Sequence, residues 1–178
     1  MIALDSTALS LLFIPNAKAH SCDGQPIPHA KERMAFLVES VAQADDRILI
    51  PTPSLAEVLV KLAPAESASL LQQLRTAPWC ALGSFDQVAA VEWALRTRDA
   101  IDQGDKSEGL ESTLAMVKFD RQIVSIAIAH GAAKLISDDR DVAKLGQKYG
   151  LPVQSVAELD LPPQNLNLFE TSHGDESS

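Results

Sequence analysis

The 178-residue chain has the usual length of one domain, and 46% of its residues are apolar, so it can bury a full core. Its net charge of −9 argues against a general nucleic-acid coat protein, which would be basic. The charge does not exclude a nuclease with an acidic metal site, because a bound cation cancels part of it locally.

The elements predicted over the first half of the chain are strands alternating with helices. The apolar run Met1–Leu4 predicts a buried strand, and residues 6–13 are compatible with a helix. Three prolines place residues 14–29 in a loop, and helical spacing returns over residues 30–44. The next predicted elements are a strand at 47–51, a helix opened by the cap Thr52 and by Pro53, a helix at about 65–76 and a weak strand at 80–82.

The second half continues the alternation. Its predicted elements are a helix at 85–102, a polar loop at 104–109, a helix that begins at Asp120 and ends at His130-Gly131, a strand at 133–136, a helix at 140–149 closed by Gly150, and a strand at 152–154. Strands joined by crossover helices favour a parallel sheet, so we predict an α/β fold. We expect one domain over 1–158 and a flexible acidic tail over 159–178.

Neither a membrane segment nor a disulfide is predicted. No apolar run reaches about 18 residues, and the charge of Asp5 interrupts what would be a signal peptide. Cys22 and Cys80 lie far apart, without metal-ligand spacing, and are expected to be free thiols. We therefore expect a cytoplasmic protein without membrane contact.

Four acidic residues stand where a site would form. Asp5 and Asp139 follow apolar strands, and ligands of parallel sheets bind beyond the carboxyl ends of strands. Glu57 and Asp120 lie near predicted helix starts. Clustered carboxylates repel one another unless a metal neutralises them, and Mg²⁺ prefers oxygen ligands. The set as a whole indicates a divalent-cation site.

Each acid also has a purely structural interpretation. Asp5 could cap the first helix, and Asp138 or Asp139 could cap the last one. Glu57 and Asp120 could simply favour a helix dipole. No single acid is specific, and the four become informative only together.

The segments around these acids resemble the motifs of PIN-domain proteins. The four segments, in the order found in that family, are Asp5–Leu9, Pro53–Val58, Lys118–Ala127 and Leu135–Val142. The resemblance covers roughly residues 1–155, and the third and fourth segments are its most specific parts. Residues 14–29 depart from it, being longer and richer in proline than in compact toxin-type members.

The resemblance implies a three-layer α/β/α sandwich with a central parallel sheet, and metal-dependent cleavage of RNA as in VapBC-type toxins. It implies that Asp5, Glu57, Asp120 and Asp139 hold Mg²⁺ or Mn²⁺, which would activate water for attack on the phosphate. Asp141 would assist these acids. The hydroxyls of Thr7 and Ser137 would orient ligands or water.

The resemblance also implies partners, namely an RNA substrate, an antitoxin protein and a second copy of the chain. The apolar helices at 52–76 could form a homodimer interface. Near the acids, Lys118, Arg121, Arg140 and Lys144 could contact phosphate or lie on solvated helix faces. The alternative function is a PIN-fold module that binds without cutting, and metal-dependent activity would separate the two.

Overall fold

The computed structural model describes residues 1–105, 107, 110 and 112–163. Its strands are β1 (Ile2–Leu4), β2 (Ile48–Pro51), β3 (Cys80–Gly83), β4 (Lys134–Ile136) and β5 (Val153–Gln154). Its α-helices are α1 (Ser6–Phe13), α2 (Ala30–Gln43), α3 (Thr52–Val60), α4 (Pro64–Thr76), α5 (Gln87–Asp102), α6 (Leu114–Ala129) and α7 (Arg140–Tyr149). A short 3₁₀ turn follows at Val156–Glu158.

The five strands form one parallel sheet in the order β3-β2-β1-β4-β5. Strand β1 lies at the centre, with Leu4 opposite Ile136 of β4 and Ala3 opposite Leu49 of β2. Parallel neighbours need crossover connections, and the helices provide them. The predicted strand–helix alternation and the parallel sheet are confirmed.

Helices cover both faces of the sheet. Side chains alternate between the two faces of a strand, so Leu4 and Ala3 enter different cores. Leu4 packs with residues of α1 to α4, whereas Ala3 packs with residues of α6 and α7. The predicted three-layer α/β/α arrangement is therefore confirmed.

The prediction that Asp120 begins a helix is wrong. Helix α6 begins at Leu114, and the hydroxyl of Thr113 caps it by accepting from the amide of Met116 at 3.4 Å. Asp120 lies in its second turn. Leu114 and Met116 are exposed, so the first turn lacks the buried stripe that marks the rest of the helix.

The start of α3 also differs from the prediction. Thr52 is its first helical residue rather than its cap, and Pro51 occupies the cap position without a side-chain bond. Glu57 is consequently in the second turn, and the first turn holds no acid. This position weakens the interpretation of Glu57 as a residue that only favours the helix dipole.

The last predicted elements are confirmed. Helix α7 ends at Gly150, whose φ of 75° is the left-handed conformation expected of a C-terminal glycine. The side chain of Leu159 is buried in the first core, and its carbonyl accepts a hydrogen bond from Arg33. Residues 164–178 of the predicted tail lie outside the described residues, as do Lys106, Glu108 and Gly109 of the predicted 104–109 loop.

Two further predictions concern cysteines and membranes. Cys22 and Cys80 are free thiols, as expected. Within the described ranges, no helix combines the length and apolar character needed to cross a membrane.

Candidate metal centre

Asp5 is a buried carboxylate at the centre of the sheet. Strand β1 ends just before it, and Asp5 caps α1 by accepting from the amide of Ala8 at 2.7 Å. The hydroxyl of Thr7 donates to both carboxylate oxygens at 2.8 Å, and that of Ser137 donates to Oδ2. Only 2% of Asp5 is exposed. The capping interpretation is correct, and it leaves the carboxylate held rigidly at the strand end.

Burial raises the pKa of Asp5 to about 6, because it penalises the charged form. The hydrogen bonds from Ser137, Ala8 and Thr7 act in the opposite direction, and the charge of Asp139 adds to the rise. Asp5 is therefore a carboxylate that a positive charge would stabilise.

Asp139 stands next to Asp5 because β1 and β4 are neighbours in the sheet. The hydroxyl of Ser137 links the two acids, since it donates to Asp5 and accepts from the amide of Asp139 at 3.0 Å. Oδ1 of Asp139 caps α7 by accepting from the amides of Asp141 and Val142 at 2.7 and 3.2 Å. Asp139 is exposed, so its carboxylate remains accessible at the rim of the centre.

Asp120 belongs to the same centre. It shares the buried face of α6 with Val117, Ile123 and Val124, which are three or four residues away. Its pKa is raised to about 7, first by burial and then by the charges of Asp139, Asp141, Glu57 and Asp5. Coulombic effects of this kind require neighbouring carboxylates, so the acids face one region.

Glu57 reaches that region from another helix. Helix α3 packs against both α1 and α6, which carry Asp5 at one end and Asp120 in the middle. The negative charge of Glu57 contributes to the raised pKa of Asp120. The charges of Asp5, Glu57 and Asp139, from three other segments, therefore all act on Asp120.

Asp138 and Asp141, which flank Asp139 in the sequence, have different surroundings. Asp138 accepts from the hydroxyl of Ser155 at 2.5 Å and from the amide of Val156 at 3.1 Å, which ties it to the 3₁₀ turn. Asp141 is buried, accepts from the hydroxyl of Ser112, and raises the pKa of Asp120. Asp138 thus has a structural role, whereas Asp141 belongs to the acidic centre. Ser112 was missed because no local pattern marks it.

The nearby basic residues are not equivalent. Arg121 is buried and donates to Tyr149 and Thr97, so it does not lie on a solvated helix face. Arg140 is exposed and binds the loop at 14–29 through the carbonyl of Cys22 at 2.8 Å. Both guanidinium groups therefore already bond to other parts of the protein rather than being presented to phosphate.

The donor set fits a hard divalent cation. Carboxylate oxygens are the ligands that Mg²⁺ and Mn²⁺ prefer, and the mutual repulsion at Asp120 is what a cation would relieve. Over the described residues, no three or more His, Cys, Asp or Glu side chains lie close enough together to hold a metal ion as they stand. A bound cation would therefore have to draw these carboxylates closer together.

Comparison with known proteins supports the fold. No protein-family model matches the sequence, and no curated protein sequence matches it. The structure is similar to a chain from the crystal structure of VapBC2 from Rickettsia felis bound to a DNA fragment from their promoter. The TM-score is 0.56 with 17% sequence identity, and the match covers 87% of this chain and 98% of that chain. The predicted PIN-like fold is thereby confirmed.

Proposed function

We propose that this protein is a metal-dependent endoribonuclease of the PIN type, which cuts RNA phosphodiester bonds. The observation that carries the proposal is the hydrogen-bonded link of Asp5 and Asp139 through Ser137 at the end of the central strands. Burial and then the charges of Asp139, Asp141, Glu57 and Asp5 raise the pKa of Asp120, so Asp120 lies in the same region. These are the acids of the PIN-like sequence motifs. A protein has little reason to gather such charges from separate elements unless they bind a cation.

Asp5, Asp120 and Asp139 would hold Mg²⁺ or Mn²⁺, with Glu57 bound directly or through water. When bound, the cation supplies a water of lowered pKa and stabilises negative charge on the phosphate. Every ligand needs its charged form, so Asp5 and Asp120 must lose their protons before the cation binds.

The surrounding groups fix the ligands rather than take part in the chemistry. Thr7 and Ser137 donate to Asp5 and therefore restrict its rotation. The amides at the start of α7 hold Oδ1 of Asp139, so Oδ2 is the oxygen that would bind the cation. Supporting hydrogen bonds of this kind commonly change metal affinity or activity by about 10–100-fold.

A protein partner is a separate part of the proposal. The sequence motifs resemble VapBC-type toxins, and the similar chain comes from a VapBC2 structure. We propose that an antitoxin protein neutralises this chain by covering the acidic centre. Association into homodimers is likewise proposed from the resemblance.

The proposal is tested by incubating the protein with a panel of structured and single-stranded RNAs in Mg²⁺, in Mn²⁺ and in chelator. Asp5→Asn and Asp120→Asn remove one charge each at the centre. Asp99→Asn makes the same change at an exposed position of α5 and serves as the control. We expect cleavage that needs metal, is lost in both site variants and persists in the control.

Two results would count against this function. Cleavage that survives in chelator, or equally in Asp120→Asn, would assign the activity to something other than this centre. Binding of RNA without any cleavage across the panel would instead favour the non-catalytic binding module.

A further inference from the structure

A cavity of about 230 Å³ opens beside the acidic centre. Thr7 and Asp139 of the centre line it together with Lys18 and His20 of the loop at 14–29. Both basic residues are exposed, and neither belongs to a PIN-like motif. The cavity therefore joins Asp139, a proposed ligand of the cation, to a lysine and a histidine from a different segment.

The loop that carries these residues has a defined backbone conformation. It folds into a short hairpin in which His20 pairs with Pro26 in antiparallel fashion. The amide of Ile27 donates to the carbonyl of Ala19 at 3.0 Å, and the amide of Ser21 donates to that of Gln25 at 2.8 Å. Paired backbone of this kind limits the positions that Lys18 and His20 can take.

The hairpin is also fixed relative to the acids. Arg140, the residue after Asp139, donates to the carbonyl of Cys22 at 2.8 Å and lies 3.9 Å from the carboxylate of Asp23. At the base of the loop, Lys31 donates to the carbonyls of Ile14 at 3.0 Å and of Pro15. The start of α7 thus carries both Asp139 and Arg140, the residue that fixes the hairpin.

The charges in this cavity indicate its ligand. RNA is repelled by a protein of net charge −9 unless local positive groups compensate. Lys18 supplies three donors on a flexible stem, which suits a phosphate oxygen. Asp138 and Asp139 line the same cavity, and their carboxylates would repel an anion until a cation is bound beside Asp139. The ligand expected here is an anion that binds together with metal.

We propose that Lys18 and His20 bind a phosphate of single-stranded RNA adjacent to the scissile one, so that the hairpin sets the path of the substrate. This inference rests on the proposed function for its substrate class. It assigns the 14–29 hairpin as the substrate-positioning element of the site.

The test is the binding of a fluorescein-labelled 12-nucleotide single-stranded RNA, followed by anisotropy in Ca²⁺, with the intact probe verified on a gel. The variants are Lys18→Gln, His20→Gln and the double variant. Arg98→Gln, an exposed position on α5, is the charge-matched control. We expect the double variant to bind about 10-fold more weakly, with a salt slope smaller by about one, because a phosphate contact is lost. Arg98→Gln should bind as the wild type does.

An affinity of the double variant equal to that of the control would overturn the inference, as would wild-type binding that is equally tight in chelator. Wild-type protein that does not bind RNA with metal would also overturn it. If only the nuclease proposal is wrong, the wild type will bind RNA through Lys18 but will not cleave it. Cleavage with an unchanged KM in the double variant would refute only the role of the hairpin.

Discussion

The hydroxyl of Ser137 donates a hydrogen bond to the carboxylate of Asp5 and accepts one from the amide of Asp139 at 3.0 Å. One small side chain therefore links two acids that lie 134 positions apart in the sequence. Because Ser137 follows β4 and Asp5 follows β1, this contact depends on the parallel pairing of those strands.

Removing that hydroxyl should weaken metal binding. In Ser137→Ala, Asp5 loses a donor that lowers its pKa, so its charged form becomes less favourable. We expect the affinity for Mn²⁺, measured by calorimetry, to fall about 10-fold. Ser137→Thr keeps the hydroxyl and should largely restore it.

Ser155→Ala is the matched control for this change. Its hydroxyl donates to Asp138, an acid tied to the 3₁₀ turn rather than to the centre. The Mn²⁺ affinity should stay within twofold of the wild type. Equal losses in the two alanine variants would show that Ser137 has no special relation to the metal ligands.

Asp120→Asn should stabilise the metal-free protein at high pH. The pKa of Asp120 rises from 3.8 to about 7 on folding, so the folded protein keeps a proton that the unfolded chain loses. The contribution of Asp120 to the free energy of unfolding consequently falls as the pH rises from about 4 to about 7. Above that range, the charged carboxylate destabilises the folded protein. Asparagine cannot ionise and removes that cost.

The expected gain is about 1 kcal/mol at pH 8 in chelator, because partial exposure screens part of the effect, and it should vanish near pH 4. Urea unfolding at both pH values measures it, with Asp99→Asn as the control. A variant less stable than the wild type at pH 8 would mean that Asp120 makes favourable contacts in its charged form.

Protons should compete with the metal. The pKa values of Asp5 and Asp120 are raised to about 6 and about 7, so both bind protons as the pH falls below neutrality. We expect the Mn²⁺ affinity to drop by about 10-fold or more from pH 8 to pH 6, since each displaced proton contributes up to about 10-fold per pH unit. A flat calorimetric profile over this range would argue that neither carboxylate is a ligand.

The close contact between α7 and β5 predicts a stability effect away from the site. A Cβ at Gly146 would collide with Cγ2 of Val153 and lie 2.9 Å from the carbonyl oxygen of Leu151. Gly146→Ala should lower the free energy of unfolding by about 1–3 kcal/mol, because neither neighbour can move freely. Lys144→Ala, exposed on the same helix, should change it by less than about 0.5 kcal/mol.

The sequence predicted best those parts of the site that follow from local patterns. Asp5 and Asp139 could be placed because an apolar run that ends in an acid indicates the carboxyl end of a buried strand. Asp120 was placed in the right helix but at the wrong position. Leu114 and Met116, at the start of α6, are exposed apolar residues, so the sequence pattern of buried residues does not mark where the helix begins.

Other parts depend on contacts between distant segments and could not be predicted locally. Ser112 meets Asp141 across 29 positions, and the hairpin at 14–29 is held by Arg140 from more than a hundred positions away. Such contacts form only after the sheet has brought these segments together. Lys18 and His20 were consequently not among the residues that the sequence predicted near the site.

The most direct test of the central claim is a calorimetric titration of Mn²⁺ at pH 8 into the wild type and into Asp5→Asn, Glu57→Gln, Asp120→Asn and Asp139→Asn, beside Asp99→Asn. If the four acids form one cation site, each site variant should lose at least about 10-fold in affinity, while the control binds like the wild type. A wild type that binds no Mn²⁺, or site variants that bind it unchanged, would contradict the claim that these acids form a metal centre.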